Sequence, residues 1–137
     1  MTTEELLFNV EGLESHSVLI KHTTFQLIVV VVYRPPSMPM LRFNELLESL
    51  LHMMPLSVPT VIVGDFNDDV HGNHISSLVR MMNYYGFKQY IDRPTTDSGS
   101  LLDHIYFNKE GENKSFVDVC DIYYSDHDAV FLTTKLS

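Results

Sequence analysis

Four short segments carry residue types that chemistry needs. Gly64-Asp65-Phe66-Asn67 sets a carboxylate and an amide two positions apart at the end of an apolar run. Ser125-Asp126-His127-Asp128 sets a carboxylate against an imidazole between two strand-like segments. Tyr33 closes another apolar run, and Asp103 opens a further one. Such a set suits hydrolysis of a phosphate ester. One carboxylate orients an attacking water, an imidazole paired to a second carboxylate holds the phosphoryl oxygens, and an amide donates a further hydrogen bond. A hard cation would neutralise charge.

Each piece also has a plainer reading. Asp-x-Asn is common turn chemistry. Asp103-His104 and Asp126-His127 each read, taken alone, as a surface pair with a local hydrogen bond. Tyrosine often closes a buried strand with its hydroxyl at the wet end. Their joint order, just past the ends of strand-like runs, is what points to a site, because loops at strand ends are where a rigid scaffold presents reactive groups. Asp65-Phe66-Asn67-Asp68-Asp69 also begins like an EF-hand loop. Val70 stands where that loop needs glycine, Ser76 where it needs a bidentate glutamate, and a strand rather than a helix precedes it, so that reading fails. Asp68, Asp69, His71 and His74 read as a solvated acidic loop leading into a helix rather than a local cation site.

The elements that must position these residues follow from the apolar pattern. Leu27-Ile28-Val29-Val30-Val31-Val32 is continuous and mostly β-branched, which predicts a central strand covered on both faces, and Arg34-Pro35-Pro36 must end it. Phe43, Leu46, Leu47, Leu50, Leu51 and Met54 follow helical spacing up to Pro55. A short buried strand is predicted over 60–63, ending at Gly64. A second helix is predicted over 74–85, with Asn73 as N-cap, an apolar stripe of Ile75, Leu78, Val79 and Met82, and Gly86 at C′. Strands are predicted over 88–91, 103–107, 116–123 and 129–134, with a turn at 110–113 and one further strand before Ile20. Strand, helix, strand, helix and then a run of strands predicts a mixed α/β or α+β domain over 1–137.

Composition sets the outer bounds. With 137 residues, 45% of them hydrophobic and 20% charged, the chain is long enough to bury a core and is neither collagen-like nor a disordered tail. Cys120 is the one cysteine, so no internal disulfide forms and a reducing, intracellular setting is expected. No apolar run is long enough to span a membrane, and acidic residues occupy the place of a signal peptide's basic segment. Nine basic against 18 acidic residues give a net charge of −9, without the basic footprint of a nucleic-acid protein.

The motifs nevertheless resemble the exonuclease–endonuclease–phosphatase superfamily, the DNase-I-like fold, and within it the endonuclease domains of LINE-type retrotransposons. The likeness lies in Val32-Tyr33-Arg34-Pro35-Pro36, Val61-Ile62-Val63-Gly64-Asp65-Phe66-Asn67, Ser100-Leu101-Leu102-Asp103-His104-Ile105 and Tyr124-Ser125-Asp126-His127-Asp128-Ala129-Val130, in that order. The Gly-Phe-x-Gln-x-Ile-x-x-Pro-Thr run from Gly86 to Thr95 adds to it. The resemblance implies metal-dependent hydrolysis of nucleic-acid phosphodiester bonds, with Mg²⁺ or Mn²⁺ as cofactor and DNA as substrate. It implies that Asp65 orients or deprotonates the water and that Asn67 binds phosphate. It further implies that His127 contacts the scissile phosphate with Asp103 orienting it, that Asp126 lies near the metal, and that Tyr33 lies near the phosphate. His104 receives no role.

The family pattern also includes an asparagine near the amino end and a metal-binding glutamate on an early strand. Only 32 residues precede Tyr33, and neither Glu11 nor Glu14 occupies the place of that glutamate. The resemblance thus implies the carboxyl-terminal half of a four-layer DNase-I-like sandwich, a mixed sheet with two main helices, lacking the amino-terminal half. One sheet face should then stand bare. Self-association, pairing with a complementing half and poor independent stability are the open consequences, and a non-catalytic interaction domain is the alternative function.

Overall fold

The aliphatic run at 27–32 forms the middle of β3 (Gln26–Tyr33), next to β4 (Thr60–Asp65). The computed structural model describes residues 2–71, 76–109, 116–120 and 129–133, the last two stretches by their backbone alone. Around that pair stand β1 (Thr2–Leu6), β2 (Glu14–Lys21), β5 (Lys88–Gln89) and β6 (Asp103–Phe107), in the sheet order β1-β2-β3-β4-β6-β5. The β3/β4 pair is parallel and every other neighbour antiparallel. Helix α1 (Met40–Met53) supplies the crossover that a parallel pair requires. Helix α2 (Ser77–Tyr84) follows β4, and β7 (Phe116–Cys120) and β8 (Ala129–Thr133) form a separate antiparallel pair.

Period-two alternation divides the sheet into two faces. Ile28, Val30 and Val32 of β3, Ile62 of β4 and Tyr106 of β6 pack with Phe43, Leu46, Leu47, Leu50, Leu51, Leu78 and Met82 of the helices in the main core. All the apolar positions expected to line α1 are therefore buried, each worth roughly 1.5–3 kcal/mol by the usual burial estimate. On the opposite face, Val61, Ile91, Leu101, Ile105 and Phe107 form a second, smaller cluster joined by Leu27 and Val63.

That second face corrects one expectation. β3 is not covered on both sides: Val31 is 51% exposed and Tyr33 39%, while their neighbours Val30 and Val32 are buried. A continuous apolar run signals two-sided burial in an ordinary parallel sheet. Here the smaller cluster sits under β4 and β6 and leaves the end of β3 open.

Helix α2 starts at Ser77, later than expected, because the Ser76 hydroxyl accepts from Val79 N at 3.1 Å and caps it there. Asn73 and Ile75 lie outside the described residues. Gly86, at φ +88, closes the helix as expected. Its N–H donates to Asn83 O at 3.0 Å and the Phe87 N–H to Met82 O at 2.9 Å, the double bond of a Schellman end. β5 is shorter than expected because the Gln89 side chain takes over ladder duty. Its Oε1 accepts from Ile91 N and its Nε2 donates to Ile91 O, both at 2.7 Å. The amino-terminal stretch holds two strands where one was expected. The turn expected at 110–113 and the end of the strand expected over 116–123 lie outside the described residues. Among the described residues no helix is long and apolar enough to cross a membrane.

Candidate active site

Register places three of the expected site residues in one row. Tyr33 is paired with Asp65 across β3/β4, and Asp65 with Asp103 across β4/β6. Residues in register on adjacent strands project from the same face, so a phenol and two carboxylates line one end of the sheet, on the face away from the helices. Facing carboxylates repel, and neither Asp65 nor Asp103 is without a partner in the fold. Glu14 pairs with Tyr33 and extends the row. It stands two strands from Asp65, roughly 9–10 Å away at ordinary strand spacing. Asp126 and His127 lie outside the described residues.

Gly64 is required for this row. A Cβ there would collide with the main-chain carbonyl of Val32 on β3 and stand 2.8 Å from its carbon. Past it, Asp65 and Asn67 flank Phe66, whose fully buried ring anchors the turn in the core. The Phe66 ring stacks on His104 at 4.9 Å and meets Phe43 and Tyr106 edge-on at 5.9 and 5.4 Å. The Asp65 Oδ1 accepts from Asn67 N at 3.0 Å, an Asx turn that lets Asn67 sit at φ +48. One N–H of the Asn67 amide donates to Arg34 O at 2.6 Å.

Two residues without an expected role hold this turn. Arg34 is 9% exposed, and its guanidinium donates to Phe66 O at 3.2 Å, Asn67 O at 2.7 Å and Met38 O at 3.1 and 2.8 Å. Bonds from a charged donor contribute about 1.5–3 kcal/mol each. His104 is fully buried. Its Nε2 faces Asp68 O at 2.9 Å and Leu101 O at 3.3 Å, both acceptors only, so Nε2 carries the proton and Nδ1 accepts from the Tyr106 hydroxyl at 2.9 Å. Burial holds the His104 imidazole below the usual histidine range, against the pull of those carbonyls, and pushes the Tyr106 phenol well up. His104 is therefore a neutral lock beneath the turn.

Asp103 has its own support in Thr95, also fully buried. Its Oγ1 accepts from Leu102 N at 3.2 Å and Asp103 N at 3.1 Å, while Thr95 N donates to Ser100 O at 2.9 Å. The signal for Thr95 was the Pro-Thr that ends the run from Gly86. The acidic loop is more engaged than a solvated face: Asp69 Oδ1 accepts from Leu101 N and His71 N, and Asp68 Oδ2 is buried. Among the described residues no three His, Cys, Asp or Glu side chains are grouped to hold a metal ion. Asp126, the residue that the resemblance places near the metal, lies outside the described residues.

Residues 6–127 match the model of the Endonuclease/Exonuclease/phosphatase family. The chain belongs to that family. Its members generally hydrolyse phosphodiester or phosphate-ester bonds, and many depend on a divalent metal. Among solved structures, the endonuclease domain of TRAS1, a telomere-specific non-LTR retrotransposon, is 17% identical and superposes with a TM-score of 0.81 over 98% of this chain and 67% of that one. A family protein from Leptotrichia buccalis, 17% identical, reaches 0.67 over 93% and 62%. The mannosyl-6-phosphatase Bt3783 of Bacteroides thetaiotaomicron, 18% identical, reaches 0.62 over 89% and 56%. The chain thus spans roughly two thirds or less of these proteins and shares their DNase-I-like fold. None of the curated proteins matches it by sequence.

Proposed function

We propose that this chain is a phosphodiester hydrolase acting on nucleic acid, of retroelement origin, with DNA as its substrate. The observation that carries the reading is the row Tyr33, Asp65 and Asp103 at one end of three adjacent strands, with Asn67 locked beside it. In this reading the Asp65 carboxylate orients a water and takes its proton as the oxygen attacks phosphorus. The ester P–O bond breaks, and the leaving oxygen takes a proton from solvent. The remaining Asn67 N–H and the Tyr33 hydroxyl donate to phosphoryl oxygens, where charge develops. Asp103 orients His127 toward the same phosphate. Asp126 is the residue proposed near a Mg²⁺ or Mn²⁺ ion, and no step here is routed through that ion.

The likeness to the TRAS1 endonuclease domain supports a polymeric substrate over a sugar phosphate of the kind that the mannosyl-6-phosphatase Bt3783 is named for. A second reading, a non-catalytic interaction domain, is favoured by the exposed Val31 on the open sheet face. The test is nicking of supercoiled plasmid beside hydrolysis of a phosphomonoester, each with and without Mg²⁺ or Mn²⁺. Nicking without monoester turnover supports the nuclease reading. Loss of both reactions supports the interaction domain.

A further inference from the structure

We propose that Arg34 is a positioning residue for the Asp65–Asn67 turn, an inference that rests on the hydrolytic reading of that turn. The geometry is reciprocal. The Arg34 guanidinium donates to Asn67 O at 2.7 Å, and the Asn67 amide donates back to Arg34 O at 2.6 Å. The Arg34 N–H also bonds Asp65 O at 3.0 Å, so residue 34 touches the turn at its start and its end. Asn67 sits at φ +48, a conformation that L residues rarely adopt unless neighbours hold it. A phosphate-binding amide in that conformation needs a fixed partner.

The guanidinium suits this task in a way that an ammonium does not. Its Nη1 donates to two successive carbonyls of the turn, Phe66 O and Asn67 O, while the Nε and Nη2 edge of the same plane grips Met38 O with two N–H groups, a span that a single ammonium nitrogen lacks. The Met38 contact lies in the segment that leads from β3 to α1. Arg34 therefore joins the strand that carries Tyr33 to the turn that carries Asp65 and Asn67. It acts through them and need not touch substrate.

The test compares wild type with Arg34→Lys, which keeps the charge and stem but loses the fork. In plasmid nicking, folded Arg34→Lys should lose about tenfold or more in kcat with KM within about twofold, as expected for a misplaced rather than a missing group. The acid limb of the pH–rate profile should stay in place, because the Asp65 carboxylate is still present. Amide exchange gives a readout independent of activity. In wild type the Asn67 N–H should be protected comparably to Ile62 in the adjacent strand, and in Arg34→Lys it should exchange about tenfold faster or more. A kcat that merely follows the folded fraction would overturn the proposal, as would an Asn67 N–H unprotected in wild type or equally protected in both proteins. If Arg34→Lys does not fold, the wild-type protection decides. A wild type inactive on every phosphate ester would instead sink the hydrolytic reading while the exchange data still judged the positioning.

Discussion

Gly64→Ala should be among the most damaging single-atom additions to this chain. The new Cβ would overlap the Val32 carbonyl oxygen and stand 2.8 Å from Val32 C and 3.2 Å from Val32 N. Carbon contacts settle at about 3.5–4.0 Å, so β3 and β4 would have to part by on the order of 1 Å at this point. Backbone cannot swing aside as a flexible side chain could. Overpacking of this kind typically costs about 1–3 kcal/mol, and each weakened ladder bond adds about 1 kcal/mol. A loss of about 2–4 kcal/mol follows, which lowers Tm by roughly 10 °C in a chain of this size. Gly86→Ala is the internal control. It meets no atom within 4 Å and suffers only from its φ of +88, so its penalty should be near 1 kcal/mol. Thermal unfolding followed by circular dichroism measures both variants. A Gly64→Ala protein melting within about 2 °C of wild type, or above Gly86→Ala, would refute the close-approach argument.

Two further perturbations probe the buried supports. Thr95→Val removes the acceptor for two part-buried N–H groups at nearly constant volume; a fully buried unmet group costs about 1–3 kcal/mol, so the pair should lower urea-melt stability by about 1–3 kcal/mol while Thr95→Ser stays close to wild type. Equal melts for Val and Ser would contradict this. His104 has its folded pKa below the unfolded value of about 6.5, so the unfolded chain binds the extra proton first and stability is complete above that pH and falls as pH drops below it. Tm measured from pH 8 to pH 5 should fall less steeply in His104→Phe than in wild type, and parallel curves would contradict the lock.

The parts of the fold decided by local pattern were legible in the sequence. Phe43, Leu46, Leu47, Leu50 and Leu51 announced α1 by spacing alone, and β6 runs over the residues expected of it. The parts decided by a side chain bonding backbone were not. Ser76 moved the start of α2, and Gln89 cut β5 short because both ends of its amide close on Ile91. In the candidate row, Tyr33, Asp65 and Asp103 stand where strand ends and turn residues mark them in the sequence. Their shared row was not legible, since register depends on pairing between segments far apart in the chain. Arg34 and His104 were passed over for a common reason: both bond main-chain carbonyls, which leave no signature in the sequence. Val31 misled because apolar residues read alike whether a second layer covers them or not.

The most direct test of the proposed hydrolytic site is plasmid nicking by wild type and Asp65→Asn, a substitution that keeps the shape of the turn and an acceptor for Asn67 N. General-base catalysis is worth about 10²–10⁴ in rate. Nicking should therefore fall at least about a hundredfold in Asp65→Asn with its melting curve little changed. Nicking by Asp65→Asn at the wild-type rate would contradict the assignment of this row as the hydrolytic site.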